Sequence, residues 1–368
     1  MATALRSQLQ QQSTIPATMR AAVYRGINDV RVETVPVPSI GPGEVLIRVE
    51  CCGVCGTDLK KIHTGSHSAP RIFGHETAGV IAAAGEGVRS FAVGDRVMVF
   101  HHIPCGDCYY CRKKTFAQCN DYKRVGCTAG FEPSGGGFAE YVRVMPWIVR
   151  RGGLIHIPDD VPFEQAAFVE PVNTCLKGIR SLNVAPDETV LVIGQGPIGI
   201  LLAALASRTG ASVLTSDLYP ERHAMAATYG LHRPIDAGKE DVVAAAHAAT
   251  EGRGADAVVV AVGSNGLIRT AMDAVRPGGR VLLFAATQRG EAVFDPAAVC
   301  MDEKFLVGSY SSSIDIQDEV AGLVFGGYRN GFDLTRLISH RFPLEQAVEA
   351  IRVASAPCAT SMKIFIHP

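Results

Sequence analysis

The first part of the chain consists of short segments rich in β-branched residues and separated by glycine and proline. Such segments occupy residues 21–24, 30–32, 44–49 and 94–100. Short β-branched runs bounded by turn residues are typical of strands with tight connections. We therefore predict a β-rich, barrel-like unit over residues 1–168.

The pattern changes near residue 189, where nearly continuous apolar runs begin to alternate with helical stretches. Residues 189–193 and 256–263 have the pattern of strands, and residues 200–207 that of an apolar helix. Strands that are apolar on both faces are typical of parallel sheets covered by helices. The alternation predicts a doubly wound α/β domain over residues 169–303.

The end of the chain returns to the earlier pattern. Residues 305–309 and 361–366 resemble strands, and two helical stretches lie between them. We therefore assign residues 304–368 to the β-rich unit. A helix is also predicted over residues 162–180, with a break at Pro171.

Composition narrows the class of protein. The chain has 368 residues, of which 47% are hydrophobic and 19% charged, and its net charge is −1. No basic patch for nucleic acid or for a membrane surface is expected, and the longest apolar run, residues 198–206, is too short to span a bilayer. Residues 1–18 form a polar tail that we expect to be disordered, with a weak transit peptide as the alternative. We expect a cytoplasmic protein.

Eleven cysteines are present, and four of them are closely spaced as C-x2-C-x2-C-x7-C. Four thiolates on one short segment can complete a closed tetrahedral shell around zinc. Because such a shell has no room for substrate, this ion would be structural. Two disulfides or an iron–sulfur cluster are the alternatives. The predicted ligands are Cys105, Cys108, Cys111 and Cys119.

A second metal site is predicted around Cys55 and His75. Zinc suits a thiolate and an imidazole, and a catalytic zinc has three protein ligands and one open position. We name Glu170 as the third ligand, since it lies at the predicted helix break, where a carboxylate could project into a cleft. The alternatives are a buried structural thiol at Cys55 and a surface pair of His75 with Glu76.

A glycine-rich loop lies between the strand at residues 189–193 and the apolar helix after it. Its predicted cofactor contacts are Gly194, Gly196, Pro197, Ile198 and Gly199. Glycines in this context allow a tight turn, close approach of a diphosphate and close packing of helix on strand. Asp217 follows the next strand and would accept the ribose hydroxyls, which favours NAD over NADP. Arg222 could weaken that preference.

Together these motifs resemble the zinc-dependent medium-chain dehydrogenase/reductase family. The residues that carry the resemblance are Cys55, Thr57, Asp58, Gly74, His75, Glu76, the four-cysteine segment, Glu170 and the glycine loop. They are most similar to the branch of sorbitol (polyol) and threonine dehydrogenases, which has a glutamate at the position of Glu170. The resemblance implies a GroES-like domain joined to a Rossmann domain, with the active site between them.

The resemblance also implies roles for individual residues. Thr57 would relay the proton of the substrate hydroxyl, and Asp58 would orient the imidazole of His75. Glu76 would exchange with the zinc or act as a nearby charge. Zinc would acidify the hydroxyl while hydride passes to the nicotinamide.

The chain departs from the family at Lys60, where members often have a histidine on the proton path to solvent. His63 is close in sequence but not in register. His102 lies where threonine dehydrogenases have an active-site histidine, and residues 311–313, three serines after Tyr310, could contact a polyhydroxyl substrate.

The expected function is oxidation of a secondary alcohol, such as a polyol or sugar, by NAD with two zinc ions per chain. Oxidation of threonine or a related amino alcohol is the closest alternative. A zinc-free quinone or enoyl reductase and a non-catalytic protein of the same fold are the others. The resemblance also implies a homotetramer or homodimer.

Overall fold

The computed structural model describes residues 15–100, 103–121, 136–285, 290–356 and 358–368. The first strand begins at Thr18, which corrects the predicted end of the N-terminal tail. Residues 1–14 and His102 lie outside the described ranges.

The described strands form three sheets. Their bounds are β1 Thr18–Gly26, β2 Asp29–Pro36, β3 Val45–Gly53, β4 Arg71–Ile72, β5 Glu76–Ala84, β6 Arg96–Val99, β7 Tyr141–Val144, β8 Leu154–His156, β9 Thr189–Ile193, β10 Ser212–Asp217, β11 Pro234–Asp236, β12 Ala255–Val260, β13 Val275–Leu283, β14 Phe305–Gly308, β15 Ile338–Pro343 and β16 Lys363–His367.

The first and last strands of the chain build the β-rich unit. Strands β2, β1 and β4 form one sheet, and a second has the order β15-β16-β3-β5-β6-β8 with β7 beside β3. The C-terminal strand β16 pairs with β3, where Phe365 lies opposite Gly53. The last strand of the chain is therefore built into the centre of a sheet formed mainly by N-terminal strands.

The middle of the chain forms a six-stranded parallel sheet in the order β11-β10-β9-β12-β13-β14. Strand β9 lies beside both β10 and β12, so the strand order reverses there. Open α/β sheets bind ligands at such a reversal, outside the carboxyl ends of the strands. The doubly wound domain and the β-rich unit confirm the predicted fold class.

One assignment was wrong in detail. Residues 305–309 were placed in the β-rich unit, but β14 pairs in parallel with β13, with Leu306 opposite Val281. The strand is at the edge of the parallel sheet, and its three consecutive apolar residues, 305–307, do not by themselves indicate which sheet it joins.

Helices connect and cover these sheets. Their bounds are α1 Gly56–Thr64, α2 Tyr109–Arg112, α3 Pro146–Arg150, α4 Phe163–Ala167, α5 Val169–Leu182, α6 Pro197–Ser207, α7 Pro220–Ala227, α8 Val242–Ala248, α9 Gly266–Ala274, α10 Pro296–Cys300, α11 Gln317–Arg329 and α12 Ala347–Ser355. Among the described residues, no helix has the length and apolar character needed to cross a membrane.

The helix break predicted at Pro171 lies instead at Phe168, between α4 and α5. Pro171 is in the first turn of α5, where backbone N–H groups have no intrahelical acceptor and proline is tolerated. Phe168 is buried in a core that also contains Ile47 of β3 and Val192 of β9. This shared core holds the two units together around the start of α5.

Candidate active site and metal centres

A cavity of about 790 Å³ lies where the β-rich unit meets the parallel sheet. Its lining includes Cys55, His75 and Glu170, together with Ile198 at the start of α6 and Ala261 after β12. Residues predicted to bind metal and a residue predicted to contact the cofactor therefore line the same cavity.

Three potential metal ligands converge at this cavity. One donor atom from each of Cys55, His75 and Glu76 lies within 4.8 Å of the others. Cys55 immediately precedes α1, and His75 and Glu76 stand at the start of β5. Zinc accepts thiolate, imidazole and carboxylate donors, and three of them leave a fourth position for substrate.

Asp58 connects two of these ligands. The Nδ1–H of His75 donates to Oδ1 of Asp58 at 3.0 Å, and the backbone N–H of Cys55 points to Oδ2 at 3.4 Å. Burial raises the pKa of Asp58, but the charge and hydrogen bond of His75 outweigh burial and leave that pKa below its ordinary value. A charged Asp58 fixes the ring of His75 so that Nε2 is left for a metal.

The negative charges around Cys55, His75 and Glu76 favour binding of a cation. Burial lowers the pKa of His75, yet the charges of Asp58 and Cys55 hold that pKa well above its ordinary value. The same negative surroundings would stabilise a metal ion at this position. The residues present therefore fit zinc both in donor type and in charge.

Glu170 lies in the first turn of α5 and lines the cavity, but it is not part of the set formed by Cys55, His75 and Glu76. Burial raises its pKa to about 7, while the charge of His75 opposes the rise and that of Glu76 adds to it. The carboxylate next to the thiol and imidazole is thus that of Glu76, and Glu170 faces the same cavity from the helix.

Residues of α1 also line the cavity, among them Thr57, Lys60 and His63. The ring of His63 bridges two other segments, with Nδ1 2.6 Å from Oδ1 of Asn28 and Nε2 2.8 Å from the hydroxyl of Ser355. His63, although out of register with the family histidine, therefore lies at the same cavity as Thr57.

Sequence reasoning missed Lys363, the first residue of β16. It is only 5% exposed, and its ammonium forms an ion pair with Oε2 of Glu76 and donates to the carbonyl of Val54 at 3.0 Å. Burial lowers the pKa of Lys363, but the charge of Glu76 holds it above its ordinary value. The available signal was a lysine at the head of an otherwise apolar strand, since buried charges need partners.

The segment after β14 forms another part of the cavity lining, through Ser309, Tyr310 and Ser311. Ser311 has a positive φ of 63°, an uncommon conformation for a residue other than glycine. Of the three serines predicted as substrate contacts, Ser311 lines the cavity, whereas Ser312 and Ser313 are buried.

The glycine loop has the geometry needed for a diphosphate. Gly194 has a φ of +96°, and a Cβ on Gly199 would lie 1.8 Å from the carbonyl oxygen of Gly194. A Cβ on Gly196 would meet no atom within 4 Å, so the space beside this residue is open. Helix α6 begins at Pro197 without a side-chain cap, which leaves N–H groups for an anion.

Asp217 ends β10 and is held by the backbone around it. Its Oδ2 accepts from the N–H of Gln195 at 2.7 Å, and its Oδ1 accepts from the N–H of Tyr219 at 3.0 Å. Arg222 lies 3.4 Å from Oδ2, stacks over the ring of Tyr219 and donates to the carbonyl of Cys358 at 3.2 Å. A positive charge thus stands beside the carboxylate predicted to select the ribose.

The four-cysteine segment forms a separate cluster. One sulfur from each of Cys105, Cys108, Cys111 and Cys119 lies within 4.8 Å of the others, and all four are free thiols. The backbone N–H of Cys105 donates to Sγ of Cys119 at 3.3 Å, and hydrogen bonding from the backbone of Cys111 lowers the pKa of Cys108 to about 7. Four sulfurs with such N–H donors fit a closed zinc shell.

Two family descriptions match the chain. Residues 41–158 match the alcohol dehydrogenase GroES-like domain, and residues 197–324 match the zinc-binding dehydrogenase domain. The first covers part of the β-rich unit and includes Cys55, His75, Glu76 and the four-cysteine cluster, and the second begins inside the glycine loop. Both matches agree with the two units of the structure.

Individual proteins are similar over nearly the whole chain. Sorbitol dehydrogenase of Bacillus subtilis is 28% identical, covering 96% of this chain and 99% of that protein. D-arabinitol dehydrogenase 1 of Uromyces fabae is 31% identical, covering 96% and 99%. A structure from Sinorhizobium meliloti 1021, assigned to zinc-binding dehydrogenases and bound to NADP, is 29% identical with a TM-score of 0.83, covering 96% and 100%.

Proposed function

The chain belongs to the zinc-dependent alcohol dehydrogenase family of medium-chain dehydrogenases, and we propose that it oxidises a secondary hydroxyl of a polyol or sugar-like substrate to a ketone with NAD. One observation carries this proposal. The donor set of Cys55, His75 and Glu76 opens into the same cavity that Ile198 of the glycine loop lines. A hydroxyl held at the first would share this cavity with a dinucleotide whose diphosphate is held at the second.

We propose catalytic zinc at Cys55 and His75, with Glu76 as the third ligand and Glu170 facing it across the cavity. When bound, the metal would supply Lewis acidity that favours loss of the substrate's hydroxyl proton. Thr57 would relay this proton, accepting it at its hydroxyl oxygen while its own hydroxyl proton passes on to water, because it follows Cys55 closely at the start of α1 and lines the cavity. Asp58 would keep His75 in the tautomer that leaves Nε2 free.

We propose a second, structural zinc at the four-cysteine cluster. Its ligands would be Cys105, Cys108, Cys111 and Cys119. Its role is to organise a segment that has little apolar core of its own, since the cluster packs mainly against Phe116. Loss of this ion would disorder that segment without removing a group from the cavity.

For the cofactor we propose NAD. The carboxylate of Asp217 would accept the ribose hydroxyls and repel a 2′-phosphate. Arg222 would reduce this discrimination, since its guanidinium is next to the same carboxylate. We therefore expect measurable activity with NADP, but lower than with NAD.

We also propose that the protein is a cytoplasmic homo-oligomer, a dimer or tetramer. Strand β14 is an edge strand on which Phe305 is 59% exposed and Leu306 is also exposed. An exposed apolar edge fits a second copy of the same strand. The free thiols of Cys55 and of the four-cysteine cluster fit a reducing compartment.

Metal analysis combined with a substrate screen tests the proposed function. We expect two zinc ions per chain and NADH formation with polyols, with weaker activity on threonine and simple alcohols. Cys55→Ser should remove one zinc ion and the activity, whereas Cys108→Ser should remove the other ion. Greater activity on threonine than on every polyol would move the substrate class to amino alcohols. A wild-type protein with both ions but no oxidation of any alcohol would contradict the proposal.

A further inference from the structure

Lys363 is a buried cation inside the candidate zinc centre. It begins β16, in which Ile364, Phe365 and Ile366 are buried apolar residues. A buried ammonium is stable only with charged or hydrogen-bonding partners close to it. The role of Lys363 can therefore be inferred from the groups that its ammonium contacts.

Its partners are Glu76 and the carbonyl oxygen of Val54. The ion pair uses Oε2 of Glu76, while Glu76 also supplies a donor atom to the set with Cys55 and His75. The carboxylate of Glu76 thus pairs with a lysine and is also a potential metal ligand.

The neighbouring backbone leaves room for this pair. A Cβ on Gly53 would lie 2.0 Å from Oε2 of Glu76 and 2.9 Å from Cε of Lys363. Any other residue at position 53 would push the two groups apart. Strand β3, which contains Gly53, therefore closes the pair off on one side.

The geometry points to Lys363 as a positioning residue that shares the carboxylate of Glu76 with the zinc ion and so limits how much negative charge the metal receives. This inference rests on the proposed zinc centre. Two anionic ligands, Cys55 and Glu76, would neutralise the charge of Zn²⁺, and a neutral centre polarises a hydroxyl poorly. The ammonium of Lys363 would offset the charge of Glu76 and so leave the metal with more of its own positive charge.

Two consequences follow for zinc in the resting protein. The positive charge of Lys363 repels the ion, and the ion pair weakens Glu76 as a ligand. Removing the charge of Lys363 should therefore tighten zinc binding rather than loosen it. A lysine that only stabilised the fold would have the opposite effect or none, because its loss would loosen the site.

Lys363→Gln is the test variant, because a glutamine amide can still donate to the carbonyl of Val54 but has no charge. Lys363→Arg is the matched control, which keeps the charge. In the full-length protein we would measure the rate at which a chelator removes zinc, and the visible absorption spectrum after replacement of zinc by cobalt(II).

For Lys363→Gln we expect catalytic zinc to leave about tenfold more slowly, a change of the size expected for one close charge interaction. We expect a shifted cobalt spectrum, since Glu76 would bind the metal more strongly. Lys363→Arg should behave as the wild type in both measurements. In the double variant Lys363→Gln with Glu76→Gln, the slowing should disappear.

Unchanged or faster zinc loss in Lys363→Gln, with an unchanged cobalt spectrum, would overturn the inference and leave the proposed function standing. If Lys363→Gln and Lys363→Arg both failed to fold, the ion pair of Lys363 with Glu76 would be required for folding and the inference would be wrong. A wild-type protein without zinc at Cys55 and His75 would instead contradict the proposed function itself.

Discussion

At the scale of single residues, Asp217 accepts hydrogen bonds from the backbone around it and is also the residue proposed to contact the cofactor ribose. Its two oxygens accept backbone N–H groups from Gln195 and Tyr219, and Arg222 stands beside it. The backbone contacts hold the carboxylate at the end of β10, next to the glycine loop. In the proposed function, its negative charge would repel a 2′-phosphate on the ribose.

We predict that Asp217→Asn lowers the preference for NAD over NADP, measured as the ratio of the two kcat/KM values. The amide keeps the shape and one acceptor but no longer repels a 2′-phosphate, and it leaves Arg222 able to bind that phosphate. One charge-assisted contact corresponds to a change of about tenfold to a hundredfold in this ratio.

Two further variants define the contribution of Arg222 to this preference. Arg222→Met should raise the preference for NAD, since no cation would then be left for a phosphate. Arg233→Met should leave the ratio unchanged, because Arg233 is exposed and donates to Ser212 instead. A ratio that stayed the same in Asp217→Asn would show that this carboxylate does not select the cofactor.

At the scale of elements, α5 joins the candidate zinc centre to the loop after β14. Glu170, Asn173 and Lys177 recur every three or four residues, so they lie on one face of the helix. The amide of Asn173 exchanges two hydrogen bonds with the backbone of Ser313, at 3.0 and 2.7 Å. Lys177 donates to the carbonyl of Tyr310 at 2.8 Å.

The face of α5 that carries Asn173 and Lys177 therefore positions the 309–311 part of the cavity lining. Lys177 also points to the carbonyl of Ser311 at 3.3 Å, beside the uncommon positive φ of that residue. We predict that Lys177→Met raises the KM for the alcohol about tenfold, as expected for the loss of a charged hydrogen bond. Zinc content should not change, because Lys177 contacts no residue of the donor set.

A control on the same helix separates this effect from a general loss of helix stability. Arg180→Met removes an exposed ion pair with Glu319, and it should change neither KM nor the melting temperature appreciably. If Lys177→Met left KM at the wild-type value, the helix would not position the loop for substrate.

At the scale of the whole molecule, the parallel sheet ends in an open strand. Among the residues that the structure describes, β14 pairs with β13 only, so its other edge is open beside the exposed Phe305 and Leu306. Proteins rarely leave such an edge uncovered. Pairing of two copies about a twofold axis would cover it.

We predict that Phe305→Glu lowers the molar mass in solution to that of a smaller assembly, because it places like charges opposite each other across the twofold axis. Size-exclusion chromatography with light scattering measures this directly. Val93→Glu is the matched control, since Val93 is 61% exposed in the β-rich unit and should leave the mass unchanged. An unchanged mass for Phe305→Glu would place the contact elsewhere.

Much of the architecture could be predicted from local patterns. The apolar run of β9 and the glycines after it indicated a parallel sheet with a nucleotide site, because burial on both faces and a tight turn impose residue types on neighbouring positions. Strand β14 was assigned to the wrong unit because a short apolar run does not show which strand it pairs with. The break at Phe168 was missed because proline in a first helical turn interrupts nothing.

The sequence by itself determined the chemical groups of the site, namely the thiol of Cys55, the imidazole of His75 and the four clustered cysteines, since these depend on residue type and short spacing. Only the tertiary structure decided that Glu76 and not Glu170 lies in one donor set with this thiol and imidazole, and that Lys363 joins the centre from the last strand. The physical reason is that β16 pairs with β3, a contact between distant parts of the chain. Such contacts arise from burial of whole strands and leave no local spacing in the sequence.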